Sequence, residues 1–321
     1  MRAVRLHEHG GTEVLGVEDV DRPAPGADEV LIEVAAAGVN PVDTYFRDGS
    51  YTPVGLPFTP GVDVAGTVVE VGADAGSFST GDRVYGMGIG NAAYQGAYAE
   101  YAVAPEQNLA VVPDGADIVE AGAAGVVAGT AWRALIEHAD LAPAEDCLIH
   151  GGSGGVGHAA IQIAAAAGAN VLTTAAPEYH ADLEELGADT VLDYGRDDLA
   201  EAVEAATDGG VDVILDHRLD DYLQFDADVA DTGCRVVGIG ENDPVVGFEN
   251  DGVARSKDVS YQFMSLFNAP DLRRILRGVG TLMARGDLQI AVAHSYDLDG
   301  APEAQRAVME DSFLGKLVIE P

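Results

Sequence analysis

Cysteine and lysine are almost absent from this chain. Of 321 residues only 2 are cysteine, Cys147 and Cys234, each inside an apolar, strand-like run ("DCLIHG", "GCRVVGIG") and without CxxC spacing. That count excludes a structural zinc knuckle or a disulfide framework and leaves two buried thiols as the plain reading. Long apolar runs are also missing. No stretch of membrane-spanning length is free of glycine or charge, and the opening "MRAVRLHEHGGTEVLGVED" carries charges where a secretion signal needs an apolar core. The expectation is a soluble intracellular protein with no membrane partner.

Positive charge is the third scarcity: 17 Lys and Arg stand against 54 Asp and Glu, a formal net charge of −37, and the only lysines are Lys257 and Lys316. Such a surface repels phosphate backbones, which excludes nucleic acid as a partner. The acids are dispersed and 47% of the residues are hydrophobic, so a disordered chain is excluded too. A carboxylate-covered, lysine-poor exterior is the pattern of adaptation to molar salt, where the Debye length falls to about 3 Å and self-repulsion is screened. The setting this implies is a high-salt cytoplasm.

What is present divides the chain. From residue 1 to 123 short alternating or apolar runs ("RAVRL", "EVLIEVAAAGV", "VAGTVVEVG", "DRVYGMG", "AYAEYAVAP") are broken by Gly and Pro, the pattern of a β-rich domain. From residue 124 a helical stretch, "GVVAGTAWRALIEHADL", leads into strand and helix alternation. Strands are predicted at 146–150, 170–174, 190–193, 211–216, 234–239 and 259–264, with helices at 156–167 and 180–187. Alternation of this kind specifies an α/β fold with a parallel sheet covered on both faces. The last stretch, from "DLQIAVAHSYDLDG" to the end, predicts a strand, a helix from about 301 and a final strand that rejoin the first domain. The division is therefore 1–123 with 268–321, and 124–267.

The segment "CLIHGGSGGVGHAAIQIAAAAG" contains Gly152-Ser153-Gly154-Gly155-Val156-Gly157, a GxGxxG turn with an apolar strand before it and an alanine-rich helix after it. Glycines permit a tight turn and close backbone approach, and the helix start offers free N–H groups to a pyrophosphate. A dinucleotide is the expected ligand. An enzyme selective for NAD would place an acid about 20 residues further on to hold the ribose diol. Residues 147–177 contain none, so NADPH is expected and NADH is the weaker alternative, although His180 is the only nearby group able to become cationic.

A second polar stretch, "GVNPVDTYFRDGSY" (38–51), gathers Asn40, Asp43, Tyr45 and Tyr51 in a segment too rich in Gly and Pro for a plain helix. It could surround a metal, a substrate or neither. None of the eight histidines shows a Ser/His/Asp or HExxH arrangement, so covalent and protease-type metal chemistry have no support.

Taken in order, "MRAVRLHEHGGTEVL", "AAGVNPVDTYFRDGSY", "FTPGVDVAGTVVEVG", "GDRVYG", "GAYAEYAV", "GTAWRAL", "HGGSGGVG" and "ELGADTVLDY" resemble the quinone oxidoreductase (zeta-crystallin-like) branch of the zinc-free medium-chain dehydrogenase/reductase superfamily. The likeness runs the length of the chain. It implies a GroES-like β-rich catalytic domain and a Rossmann doubly wound cofactor domain, usually in a homodimer or homotetramer. It also implies NADPH-dependent reduction of quinones or activated alkenes such as enones, alkenals and enoyl thioesters.

The zinc enzymes of the superfamily have a cysteine where this chain has Asn40, a "GHE" where it has Gly61-Val62-Asp63, and a third ligand near "AGVVAGTAW", which offers none. Their four-cysteine lobe is also missing from Arg83–Gly96. Catalytic zinc needs three Cys, His or acid ligands around an open position, so no metal is expected here.

By resemblance, Asn40, Tyr45 and Tyr51 surround the substrate, with Tyr45 also touching the cofactor, and Thr130 contacts the nicotinamide. Ser153, Gly154, Gly155 and Val156 hold the pyrophosphate. Ala176, His180 and Tyr194 border the adenosine end, and Gly238, Ile239, Gly240, Met264, Ser265 and Leu266 flank the nicotinamide. Asn40 and the tyrosine hydroxyls are expected to donate to a substrate oxygen. Family members often carry Lys or Arg where His180 stands, and "LDHRLDD" replaces a small-residue turn; Arg218 there is expected to pair with a neighbouring aspartate. Two other readings remain open: a zinc-type alcohol or polyol dehydrogenase, and an NADPH-binding structural or regulatory protein without turnover.

Overall fold

The computed structural model describes residues 1–321. Contacts divide it into two compact units, Met1–Gly129 with Pro270–Pro321, and Thr130–Ala269.

The first unit opens with strands β1 (Arg2–Arg5), β2 (Gly16–Asp19) and β3 (Glu29–Val39), then helix α1 (Pro41–Asp48). It continues with β4 (Asp63–Val71), β5 (Arg83–Met87), β6 (Tyr101–Pro105), β7 (Leu109–Val111) and most of helix α2 (Ile118–Trp132), whose last three residues belong to the second unit, as does the wider π-helical turn over Arg133–His138 into which it runs. Sequence pattern alone places the start of that helix near 125; seven earlier residues, including buried Ala121, Ala123 and Ala124, also join it.

The second unit holds β8 (Asp146–Ile149), α3 (Gly155–Ala167), β9 (Asn170–Ala175), α4 (His180–Glu185), β10 (Thr190–Asp193), α5 (Leu199–Ala206), β11 (Val211–Asp216), α6 (Leu219–Val229), β12 (Ala230–Gly238), α7 (Asp251–Ser256) and β13 (Ser260–Phe263). The chain then returns to the first unit with α8 (Leu272–Arg285), β14 (Val292–Tyr296), α9 (Ala301–Glu310) and β15 (Lys316–Ile319). Strand β12 starts earlier than its apolar run, because Ala230 pairs with Val211 before a register shift brings Arg235 opposite Val213.

The first unit is a seven-stranded sheet in the order β14-β15-β3-β4-β5-β7, with β6 also on β3, beside a small β1-β2 ribbon. All its pairings but β14–β15 are antiparallel. Strand β3 is the spine. Its branched residues Val30, Ile32, Val34 and Val39 pack into one core with Phe46, Phe58, Val64, Val68, Leu317 and Ile319.

The second unit is a six-stranded, wholly parallel sheet in the order β10-β9-β8-β11-β12-β13. Its central strands are covered on both faces and read as short apolar runs ("CLI", "VIL", "VVG"). Counting from β8, the order is 3-2-1-4-5-6, so the direction of winding reverses between β8 and β11. Ligands of such sheets sit beyond the carboxyl ends of the strands at that reversal.

Candidate active site

In the first unit, β3 delivers Asn40 to the start of α1. Pro41 suits the first helical position, where its missing N–H is not needed. Asp43, three residues on, reaches back so that its Oδ2 accepts the Asn40 N–H at 2.9 Å, and Gly49, with φ of 90°, closes the helix in the left-handed conformation. The other Asp43 oxygen accepts the N–H groups of Gly61 (3.2 Å) and Val62 (3.0 Å), and the Tyr98 hydroxyl donates to Oδ2 at 3.1 Å. Asp43 therefore ties α1 to the loop before β4.

The Asn40 side chain is equally committed. Its Nδ2 donates to Asp63 Oδ2 at 2.8 Å and to Gly38 O at 3.3 Å, and its Oδ1 accepts from Lys316 Nζ at 2.7 Å. Lys316 also donates to Val39 O, and the second Asp63 oxygen accepts the Val126 N–H at 2.7 Å. Asn40 is 1% exposed and Lys316 3% exposed. With both amide hydrogens used and no surface, Asn40 offers no donor to a substrate oxygen in this structure, unlike the role its resemblance implied. Glycines make room for the cluster: a Cβ on Gly38 would lie 2.6 Å from Asp63 Oδ2, and one on Gly125 would lie 2.4 Å from Asp63 Oδ1.

Electrostatically this is one ammonium facing two carboxylates, all out of water. Burial pushes the Asp43 carboxyl up to about 6 despite its hydrogen bonds and Lys316. Burial likewise pushes Asp63 up and Lys316 down, each held back by the other. The Asp63 oxygens accept from the Asn40 amide and the Val126 N–H, which is the environment of a carboxylate and not of a protonated acid. The cation of the cluster is an ammonium, fixed by a backbone carbonyl and an amide.

The tyrosines stand differently. Tyr45 lies on α1, half-buried. Tyr51, 51% exposed, donates its backbone N–H to Tyr45 O at 2.8 Å, and the two rings meet edge to face with centroids 5.6 Å apart. Phe46 supports Tyr51 from the other side, also at 5.6 Å. The stretch 38–51 is thus two layers, a buried ionic cluster beneath an aromatic pair.

In the second unit the glycine turn follows β8. A Cβ on Gly157 would lie 2.1 Å from Gly151 O, and one on Gly152 would lie 2.3 Å from Thr173 Oγ1, so both positions demand glycine. Gly154 begins α3 without a capping side chain. The first-turn N–H groups of α3 thereby lack a side-chain acceptor, and the turn fits the pyrophosphate of a dinucleotide.

The other expected cofactor residues gather along the same edge. Ser153 to Val156 follow β8, Ala176 and His180 follow β9, and Tyr194 follows β10. Gly238, Ile239 and Gly240 end β12, and Met264, Ser265 and Leu266 follow β13; the Met264 N–H bonds Gly238 O at 3.0 Å. Thr130 lies in α2. The His180 Nε2 sits 3.3 Å from Ala175 O, folded back on the strand end. No arginine reinforces it: Arg196 bonds Asp198 at 2.7 Å, and Arg218 pairs with Asp221.

Sequence reading missed three anchors. Lys316 is one, and its only signal was a charged residue opening an otherwise apolar final strand. Arg133 is the second: from the π-helical turn it donates to Ser265 O and Leu266 O and so holds the segment after β13. The third is Asp226, the buried partner, at 2.9 Å, of His150 directly before the glycine turn.

Comparison with known proteins agrees with this arrangement. Residues 26–114 match the alcohol dehydrogenase GroES-like domain, and residues 186–319 match the family described as zinc-binding dehydrogenase. Human quinone oxidoreductase is 34% identical over 325 residues, covering 99% of this chain and 97% of the human protein. The structure of Escherichia coli quinone oxidoreductase complexed with NADPH superposes with a TM-score of 0.90 at 27% identity, covering 100% of both chains. That of an NAD-dependent alcohol dehydrogenase superposes with a TM-score of 0.93 at 29% identity, again over 100% of both.

Proposed function

The chain belongs to the quinone oxidoreductase-like medium-chain dehydrogenase/reductase superfamily and is an oxidoreductase, and from that premise we propose that it uses NADPH to reduce quinones or activated alkenes without a metal. The observation that carries the reading is the two-layered stretch 38–51. Asn40 and Asp43 there are bonded inward, to Asp63, Lys316, Tyr98 and backbone, while half-buried Tyr45 and exposed Tyr51 stand ring to ring.

Bound NADPH would supply the hydride. The N–H groups at Ser153, Gly154, Gly155 and Val156 would hold the pyrophosphate, and Ala176, His180 and Tyr194 would border the adenosine end. Thr130, Gly238 to Gly240 and Met264 to Leu266 would face the nicotinamide. The hydroxyls of Tyr45 and Tyr51 donate to the substrate oxygen and stabilise the charge that develops there, and their rings give a flat electrophile a surface to lie on. Asn40 serves by holding the start of α1. The proton that completes reduction comes from a tyrosine or from solvent. Quinones, enones, alkenals and enoyl thioesters all suit this chemistry, and for quinones one-electron transfer is the alternative route. We place the enzyme in a high-salt cytoplasm, as a homodimer or homotetramer.

The similarity to an NAD-dependent alcohol dehydrogenase supplies the competing reading, a metal-assisted alcohol or polyol dehydrogenase. Oxidation of NADPH and NADH, followed in molar KCl against quinones, alkenals and acrylyl-type thioesters, separates the two. Turnover of an electrophile with NADPH preferred, and with no stoichiometric metal by elemental analysis, is the expected result. Stoichiometric zinc with alcohol oxidation overturns it, and NADPH binding without any turnover would leave a structural or regulatory role. Tyr45→Phe and Tyr51→Phe are each expected to lower kcat/KM for the electrophile by about tenfold, the scale of one neutral hydrogen bond. Unchanged kinetics in both would make the tyrosines packing residues.

A further inference from the structure

Only two lysines remain in a chain of 321 residues, and one of them is sealed in the core of the catalytic unit. Scarcity of lysine on the surface follows from the acidic exterior, which does not explain an ammonium out of water. Burying a charge is costly unless it is paired and hydrogen-bonded. Lys316 meets that condition through the Val39 carbonyl, the Asn40 carbonyl oxygen and the fields of Asp43 and Asp63.

The connections run in one direction. Strand β15 pairs with the end of β3, Leu317 opposite Val39, which brings the Lys316 side chain to the carbonyl of the last β3 residue and to Asn40. Asn40 is bound to Asp63 through its amide and to Asp43 through its backbone, and it starts α1. Tyr45 lies on that helix, and Tyr51 is bonded to it by the backbone and by ring contact. Without the ammonium, Asn40 Oδ1 loses its donor, the carboxylates of Asp43 and Asp63 lose the only cation that faces them, and the first turn of α1 loses one of its anchors.

We propose that Lys316 is a positioning residue for the electrophile, an internal cation that fixes Asn40 and, through the start of α1, the orientation of Tyr45 and Tyr51. This rests on the tyrosine pair being the substrate surface. It assigns to the ammonium a task beyond stability: setting where the hydroxyl donors point.

The test compares Lys316→Met, Lys316→Gln and Lys316→Arg with the wild-type enzyme in molar KCl. The expected result for Lys316→Met is a kcat/KM for the electrophile lower by about tenfold or more, the scale of a small misplacement of a catalytic group, with the KM for NADPH unchanged. Lys316→Arg keeps the charge and restores part of the loss. Tyr51→Phe has a smaller effect in the Lys316→Met background than in the wild type, because both changes act on one unit. Backbone amides of residues 41–51 exchange faster with deuterium in the variant, while those of β4 do not.

A lower melting temperature accompanied by unchanged kcat/KM and additive effects with Tyr51→Phe would show a merely structural lysine and overturns the proposal. If Lys316→Met does not fold, Lys316→Gln, which retains a donor without charge, carries the same comparison. Failure of the wild type to turn over any electrophile would refute the proposed function. Amide exchange still decides the positioning claim in that event: unaltered exchange over 41–51 in the folded variant defeats it.

Discussion

His150 Nε2 lies 2.9 Å from Asp226 Oδ1, and both side chains are wholly buried at the carboxyl edge of the parallel sheet, one residue before the glycine turn. Tyr222 stacks flat on the imidazole, with centroids 4.2 Å apart and planes 2° apart. Burial holds His150 neutral, with its pKa pushed down to about 4, and pushes the Asp226 carboxyl well above the carboxylate range. The pair is a hydrogen bond between groups that resist charge, and α6 is pinned by it to the end of β8.

Acid sensitivity follows from that environment. The folded pKa of His150, about 4, lies below its ordinary value of 6.5, so its stabilising contribution is complete above pH 6.5 and is lost as pH falls toward 4. Asp216 works in the opposite sense: burial raises its carboxyl to about 7, and its contribution is lost as pH rises from 3.8 to 7. Replacing His150 by Gln keeps a donor for Asp226 and removes only the first effect. Denaturant titration should find His150→Gln destabilising at pH 8 and less so at pH 5, by on the order of 2 kcal/mol. An equal penalty at both pH values would mean the imidazole charges freely in the fold.

How legible this protein was in its sequence depended on the range of the interaction. The six strands of the parallel sheet and the glycine turn could be read because each is a local pattern: an apolar run, a period, a motif between a strand and a helix. The stretch 38–51 drew attention for its polar residues, but what those residues do was hidden. Asn40 was read as a donor because its partner, Lys316, lies 276 residues away and nothing in the pattern joins them. Asp43, left without a role once the ligand pattern argued against a metal, takes four donors that no local pattern announces. Arg133 and Asp226 were missed for the same reason, since a charged residue in a helix does not announce what it will meet.

On the proposed reading, cofactor preference turns on the end of β9, where Ala176 and His180 stand with exposed Glu178 between them and Arg196 and Arg218 are each paired with an aspartate. His180→Arg would place a permanent cation there. A charged hydrogen bond to the ribose 2′-phosphate contributes about 1.5–3 kcal/mol, so the KM for NADPH should fall by about tenfold while that for NADH is unchanged. Steady-state kinetics with both cofactors measures this. An equal response of NADPH and NADH would show that this strand end does not face the 2′ position.

Salt dependence should be steep. At a net charge of −37 the folded chain repels itself, and dilution from molar KCl to about 0.1 M lengthens the Debye length from about 3 to about 10 Å. The melting temperature is expected to drop on dilution and to recover equally with KCl or NaCl, but not with a neutral osmolyte at matched osmolality. Recovery with the osmolyte alone would attribute the effect to solvent exclusion instead of screening.

The glycine turn allows a contrast between two neighbouring substitutions. A Cβ at Gly157 would meet Gly151 O at 2.1 Å, which only a shift of the backbone can relieve, whereas at Gly154 the same atom would be 3.4 Å from that oxygen, an ordinary contact. Gly154 also has φ of −69°, open to any residue. Gly157→Ala should therefore displace the start of α3 and abolish NADPH binding measured by calorimetry, while Gly154→Ala binds within a few-fold of wild type. If the order is reversed, the methyl at 154 blocks the ligand itself, and the pyrophosphate lies closer to that residue than to the helix start. If both variants bind normally, the turn is not the phosphate site, and the assignment of Ser153 to Val156 falls with it.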